Sequence, residues 1–168
     1  MTVLADHDDA VGLDAVQASR AVVKETVSPT GVVATAVSSP TNVSPIAITI
    51  EFSETVTGFL ASDLTVANGT AASLVAVDGD SYTAEVTPTA DGVVTVQLAA
   101  NKVLDAYGND NTVTNQLSVT YDGSVPSVAI SSNLTSPTEE TTIPIVVQFS
   151  EAVTGFAAGD ISVTNATL

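Results

Sequence analysis

Phe52-Ser53-Glu54-Thr55-Val56-Thr57-Gly58-Phe59 is written again as Phe149-Ser150-Glu151-Ala152-Val153-Thr154-Gly155-Phe156, with seven of the eight positions identical. The same offset of 97 residues carries Pro29 onto Pro126, Pro40-Thr41 onto Pro137-Thr138, Asp63 onto Asp160 and Asn68 onto Asn165. A period this long signals a tandem array of domains, each with its own core. Within the octapeptide, Phe52 is expected to end a strand pointing inward, Gly58 to permit a reversal, and Val56 and Phe59 to cover the end of the core. Burying each large side chain contributes about 1.5–3 kcal/mol, so the stretch reads as structural rather than as a binding motif.

Just before the first copy, Ile46, Ile48, Ile50 and Phe52 alternate with Ala47, Thr49 and Glu51. That period of two buries one face of a strand and wets the other. Tyr82, Ala84 and Val86 alternate in the same sense, as do Val94, Val96 and Leu98, and then Leu117, Val119 and Tyr121. The pattern predicts strands over 32–38, 45–53, 64–67, 73–77, 81–87, 92–99 and 115–121, and a single helical turn at Asn101-Lys102-Val103-Leu104-Asp105. Asn68-Gly69-Thr70, Asp78-Gly79-Asp80 and Ala90-Asp91-Gly92 supply turn residues between them. Seven short antiparallel strands bury one face of each sheet most simply as a two-layer sandwich. The expected fold class is therefore all-β, with one complete module over residues 27–123 and the start of a second over 124–168. Residues 1–26 stand outside the repeat as an acidic arm whose period is ambiguous, since Val11, Leu13 and Ala15 alternate like a strand while Leu13, Val16 and Val23 fit one face of a short helix. It reads as a mobile arm, the tail of an earlier domain, or a donor segment.

Three Lys plus Arg face 19 Asp plus Glu, a formal net charge of −16. Such a field repels phosphate backbones and anionic lipid, so nucleic acid and membrane insertion are not expected. Cations are attracted instead. The chain has no cysteine, which removes disulfides and thiolate metal sites and leaves packing or oxygen-ligated ions to stabilise it. No window approaches the roughly 18 apolar residues of a membrane span. The first residues lack the basic region and apolar run of a secretory signal, so either an export signal was removed earlier, or it lies at the carboxy terminus, or the first residues are an artificial boundary of the sequence.

Catalysis finds little material. His7 is the single histidine, and with no cysteine a nucleophile and its base cannot be assembled. Asp6-His7-Asp8-Asp9 lacks the further nitrogen or sulfur ligands of a transition-metal site and reads as a solvated charge cluster. The acids show no spacing that marks a glycosidase pair, and tryptophan is absent as a sugar platform. The expectation is that the chain is not an enzyme. The pattern for N-glycosylation at Asn42, Asn68, Asn133 and Asn165 arises easily by chance in a β protein rich in Asn and Thr.

Phe-Ser-Glu-x-Val-Thr-Gly-Phe is followed by Asp63-Leu64-Thr65-Val66 with Asn68-Gly69. Val86-Thr87-Pro88 with Ala90-Asp91-Gly92 comes next, and then Asp105-x-x-Gly108-Asn109. Motifs in this order, over about residues 27–168, resemble the bacterial Ig-like repeats of large surface and adhesion proteins. The resemblance implies an Ig-like sandwich used in tandem, secreted or at the bacterial cell surface, as a spacer or adhesive stalk. Its implied partners are neighbouring repeats, further copies and cell-surface ligands. A glycan-binding module and an accessory domain of a larger secreted enzyme are the alternatives.

Asp105-Ala106-Tyr107-Gly108-Asn109-Asp110 offers oxygen ligands in a glycine-containing loop, which suits calcium. In similar repeats such loops pair with an acid near the module junction, so the resemblance implies a calcium set of Asp105, Asn109, Asp110 and Asp122. An Asx-capped turn between the last two strands is the other reading of this loop. The second module reaches Leu168, opposite Ala71 of the first, and is expected to hold the opening strands without the last four. Half a sandwich exposes an apolar face and strand edges. Completion is expected either from the remainder of a longer protein or from another copy by β-strand addition, which repeated head to tail gives a filament.

Overall fold

The computed structural model of the chain describes residues 22–168, and every regular element in them is β apart from two short 3-10 turns. The first module contains β1 (Gly31–Ala34), β2 (Ile46–Phe52), β3 (Leu64–Ala67), β4 (Gly69–Ala76), β5 (Ser81–Pro88), β6 (Gly92–Leu98) and β7 (Leu117–Tyr121). They form two antiparallel sheets in the orders β1-β2-β5-β4 and β3-β6-β7. The core lies between them.

The alternation of the sequence sets what enters that core. Ile46, Ile48, Ile50 and Phe52 from β2 meet Tyr82, Ala84 and Val86 from β5 in the first sheet. Leu64, Val94, Val96, Leu98 and Val119 face them from the second, all buried. Ala47, Thr49 and Glu51 on the reverse of β2 are exposed. Phe52, Phe59 and Tyr82 close one end as three mutual edge-to-face pairs with centroids 5.6, 5.9 and 5.1 Å apart. That geometry sets each ring's positive edge against its neighbour's negative face. Gly58 has φ +85°, a conformation that lets the chain reverse between Val56 and Phe59.

The strands depart from their predicted bounds where side chains or single residues do the work of the backbone. β4 begins at Gly69 rather than Ser73, because Asn68 alone, at φ 55°, makes the turn out of β3. A register shift between Ala72 and Val75, with Ser73 at φ 53°, then bends this edge strand and blunts it against stray pairing. Position 69 also has to be glycine for space. A Cβ there would lie 2.9 Å from the Thr87 carbonyl oxygen. β7 starts at Leu117 rather than Asn115, and the Asn115 side chain takes the place of backbone. Its Oδ1 accepts from the Val33 amide at 2.7 Å and its Nδ2 donates to the Val33 carbonyl at 2.9 Å, joining β1 to the far sheet.

The helical turn expected at 101–105 does not form. Leu104 instead bridges Thr57 on one side and Asp110 on the other, so tertiary pairing overrides the local propensity. A 3-10 turn lies elsewhere, at Ala61–Asp63, where Asp63 Oδ2 accepts from the Leu60 amide at 2.9 Å.

From residue 122 the opening of the first module is repeated. β8 (Val128–Ser131) pairs with β9 (Val146–Phe149) so that Val128 faces Phe149 and Ser131 faces Val146. Gly31 faces Phe52 and Ala34 faces Thr49 in the same way. Ser53 and Ser150 each accept, through Oγ, from the amide of the residue preceding the first strand, at 3.0 and 2.9 Å. Phe149 and Phe156 stack edge to face at 5.1 Å, Gly155 has φ +80°, and a second 3-10 turn spans Ala158–Asp160. No residue from 122 to 168 is buried. The acidic arm was expected to include Val11, Leu13 and Ala15, and these fall outside the described residues.

Candidate functional site

The groups with distinctive chemistry sit at the two ends of the first module, where it meets its linkers. At the entry end, the connection from β6 to β7 is built on buried amides. Asn111 Oδ1 accepts from the Lys102 and Val103 amides at 2.7 and 3.0 Å. Its Nδ2 donates to the Ala99 and Thr112 carbonyls at 3.0 and 2.6 Å. Thr114 Oγ1 accepts from the Leu98 amide at 3.0 Å. Every buried polar side-chain atom among the described residues has a partner, as a satisfied interior requires.

On this frame stands the loop 105–110. Asp105 is 4 % exposed. Its Oδ1 accepts from the Tyr107 and Asn109 amides, both at 2.8 Å, and its Oδ2 accepts from Asn109 Nδ2 at 2.7 Å. This is an Asx-type turn closed by its own side chains. Burial pulls the Asp105 pKa up, but the hydrogen bonds from the Asn109 side chain and the Asn109, Tyr107 and Gly108 amides outweigh it. The carboxyl is held below the ordinary aspartate value. Asn109 Nδ2 also donates to Glu25 Oε2, and Glu25 Oε1 accepts from the Val27 amide. Glu54, from the octapeptide, stands close enough that burial, then the charges of Asp105 and Glu25, push its carboxyl above the usual range.

At the exit end, β7 runs into Asp122-Gly123-Ser124. The Asp122 amide donates to the Thr41 carbonyl at 2.9 Å, the Gly123 amide donates to Asp91 Oδ1 at 2.7 Å, and the Ser124 hydroxyl donates to Asp91 Oδ2. Those bonds, the Ser124 hydroxyl first and the Gly123 amide second, hold the Asp91 pKa below the usual aspartate range. Gly123 lies against the Tyr121 ring, and a Cβ there would be 2.4 Å from the phenol oxygen.

Of the four residues expected to hold calcium, the fold brings Asp105 and Asn109 into direct contact and places Asp110 beside them, bridged to Leu104. It puts Asp122 at the other end of the module. Gly92 pairs with Tyr121 whereas the loop follows Leu98, a separation of roughly 20 Å at about 3.4 Å per residue. The four therefore do not form one coordination shell, and both Asp105 oxygens are already accepting hydrogen bonds. Among the described residues no group of three or more His, Asp or Glu is arranged to hold a metal ion. His7 falls outside those residues.

Sequence reasoning missed Asp91, Asn111, Asn115 and the role of Glu25. The signal for Glu25 was present. The 97-residue offset that pairs the octapeptides also pairs Glu25 with Asp122, and in both copies the amide two residues later donates to that acid. The other three are polar residues in loops, whose partners are set only by the closed sandwich.

No helix among the described residues is long and apolar enough to cross a membrane. Neither a curated protein nor a solved structure matches the chain significantly. A family model described as bacterial Ig-like domain matches residues 25–121 and, separately, residues 122–168. The two matches meet at the linker that Asp91 holds, and with the two-sheet antiparallel fold they establish that the chain belongs to the bacterial Ig-like domain family, as a surface-associated type of repeat module.

Proposed function

We propose that this chain is part of an extracellular stalk of bacterial origin, in which Ig-like modules repeat in line to project or link and make no chemical transformation of their own. One observation carries the reading. The second copy reproduces the first down to the hydrogen-bond register of its opening strands, Val128 opposite Phe149 as Gly31 is opposite Phe52. Conservation of a pairing frame at fixed spacing is what a linear array requires, since each module contacts its neighbours alone. Electron microscopy and small-angle scattering of the native, full-length protein test this. The expected particle is a rod whose length rises in proportion to its number of modules, and a compact globule would refute the reading.

A second reading, polymerisation into a fibre, is favoured by the open face of the second module. Its β9 side chains Val147 and Phe149 stand where Ile50 and Phe52 are covered; the counterpart of β3, residues 161–164, forms no strand, and β6 and β7 have no counterparts within residues 122–168. Either later residues of the same chain or another copy supply the cover. Negative-stain microscopy of the 168-residue chain separates these: filaments at rising concentration support supply by another copy, and monodisperse particles exclude it. Deleting residues 1–26 asks whether the arm is the donor, since filaments that persist exclude it.

A further inference from the structure

We propose that each inter-module linker is held from both sides, by the Asp91 turn of the module behind it and by the Asn109 loop of the module ahead, so that the ends of a module are matched interaction surfaces for its neighbours' linkers. The inference rests on the stalk reading and goes beyond it, because a row of modules on free hinges would be equally a stalk.

The rear half is seen at residues 122–124. Asp91 accepts from the Gly123 amide at 2.7 Å and from the Ser124 hydroxyl, so both carboxylate oxygens are spent on the linker. Two parallel bonds from one planar carboxylate fix direction as well as distance. The Tyr121 ring beneath Gly123 removes the space in which a side chain there could turn.

The front half is seen at residues 25–29. Glu25 bonds to Asn109 of the module it precedes, and the Thr112 amide donates to the Pro29 carbonyl at 2.9 Å. The offset that maps Pro29 onto Pro126 maps Glu25 onto Asp122 and Val27 onto Ser124. The local turn is shared: the Val27 amide donates to Glu25, and the Ser124 amide donates to Asp122 at 3.2 Å. Asp122 thus stands, relative to the second module, where Glu25 stands relative to the first. One linker of the pattern acid-x-x therefore presents its acid forward and its next two residues backward. The acid in front of the first module is bonded to an uncharged amide rather than to a cation, which suits a chain carrying only 3 Lys plus Arg.

The absence of cysteine makes spin labelling direct. One label pair, Thr83→Cys with Gln148→Cys, spans the rear-held linker. The other, Val22→Cys with Thr83→Cys, spans the front-held one. All three positions are exposed. Electron–electron distance measurement on the whole chain is expected to give a single narrow peak for each pair. Asp91→Ala should abolish the narrow peak of the first pair and leave the second, Asn109→Ala should do the reverse, and Ser124→Ala should broaden the first pair partially. Thermal melting of the Asp91→Ala chain, lowered only slightly because Asp91 is an exposed turn residue, separates a released linker from a damaged module. Distributions that are broad before any substitution, that do not respond, or that respond alike to Asp91→Ala and Asn109→Ala would overturn the clamp. The stalk reading would survive that outcome, since it is judged on the length of the native particle.

Discussion

The octapeptides of the two copies make the same turn, each with an edge-to-face pair of phenylalanine rings, yet Ile46 is 1 % exposed and its counterpart Ile143 is 55 % exposed. The two regions share the octapeptide and the strand register, but they differ in what packs above them and at single positions such as Pro144, which stands where the first copy has Ala47. β2 lies between β1 and β5. β9 has β8 alone, and it shortens accordingly, keeping the four residues that pair with the first strand and losing the three that β5 would hold. Local sequence thus fixes pairing and turns, whereas burial, the larger share of stabilisation, comes from strands far along the chain.

The largest expected effect sharpens that contrast. Phe52→Ala should cost about 3–5 kcal/mol, the usual range for deleting a buried ring, and should unfold the first module in a denaturant titration. Phe149→Ala, at the equivalent place without a covering sheet, should leave the main transition where it is. Equal losses at both sites would break the comparison.

Next come changes confined to the first module. Asn111→Leu leaves two amides and two carbonyls without their side-chain partner, at a cost of about 1–3 kcal/mol. Gly69→Ala forces a methyl against the Thr87 carbonyl, 2.9 Å away, and should cost about 1–3 kcal/mol, as overpacking usually does. Both are read as a shift of the urea midpoint with an unchanged slope.

Acid should act more gently. The folded pKa of Asp105 is depressed, so its contribution is complete above the ordinary aspartate value of about 3.9 and is lost as the pH falls through its lower folded value. Asp105→Asn should flatten that part of the melting-temperature profile. Glu54 carries the opposite sign. Its raised pKa means that its charge opposes folding at neutral pH, so Glu54→Gln should raise the melting temperature slightly there. The gain should vanish in acid, where the native carboxyl is itself protonated.

Much of this architecture was legible from alternation alone, because a strand with one wet face must show a period of two. The sides of β2, β5 and β6 follow directly from Ile46 to Phe52, Tyr82 to Val86 and Val94 to Leu98. The ends were less legible. Asn115 reads as strand but acts through its side chain, and Leu104 sits in a helix-like run that tertiary pairing pulls straight. The linker contacts of Asp91 and Asn109 were hidden for the same reason: each joins residues more than 30 apart, so neither leaves a periodic trace. The expected calcium set gathered residues from a loop and a junction separated in sequence by the single strand β7 but lying at opposite ends of the module.

Native-state hydrogen exchange of the whole chain tests most directly whether covering strands, rather than the octapeptide itself, make the core. The amides of Ile48 and Ile50 should be protected to the level of global unfolding, and those of Val147 and Phe149 should exchange through small local openings orders of magnitude faster. Comparable protection in β2 and β9 within a monomeric chain would contradict that role of the covering strands.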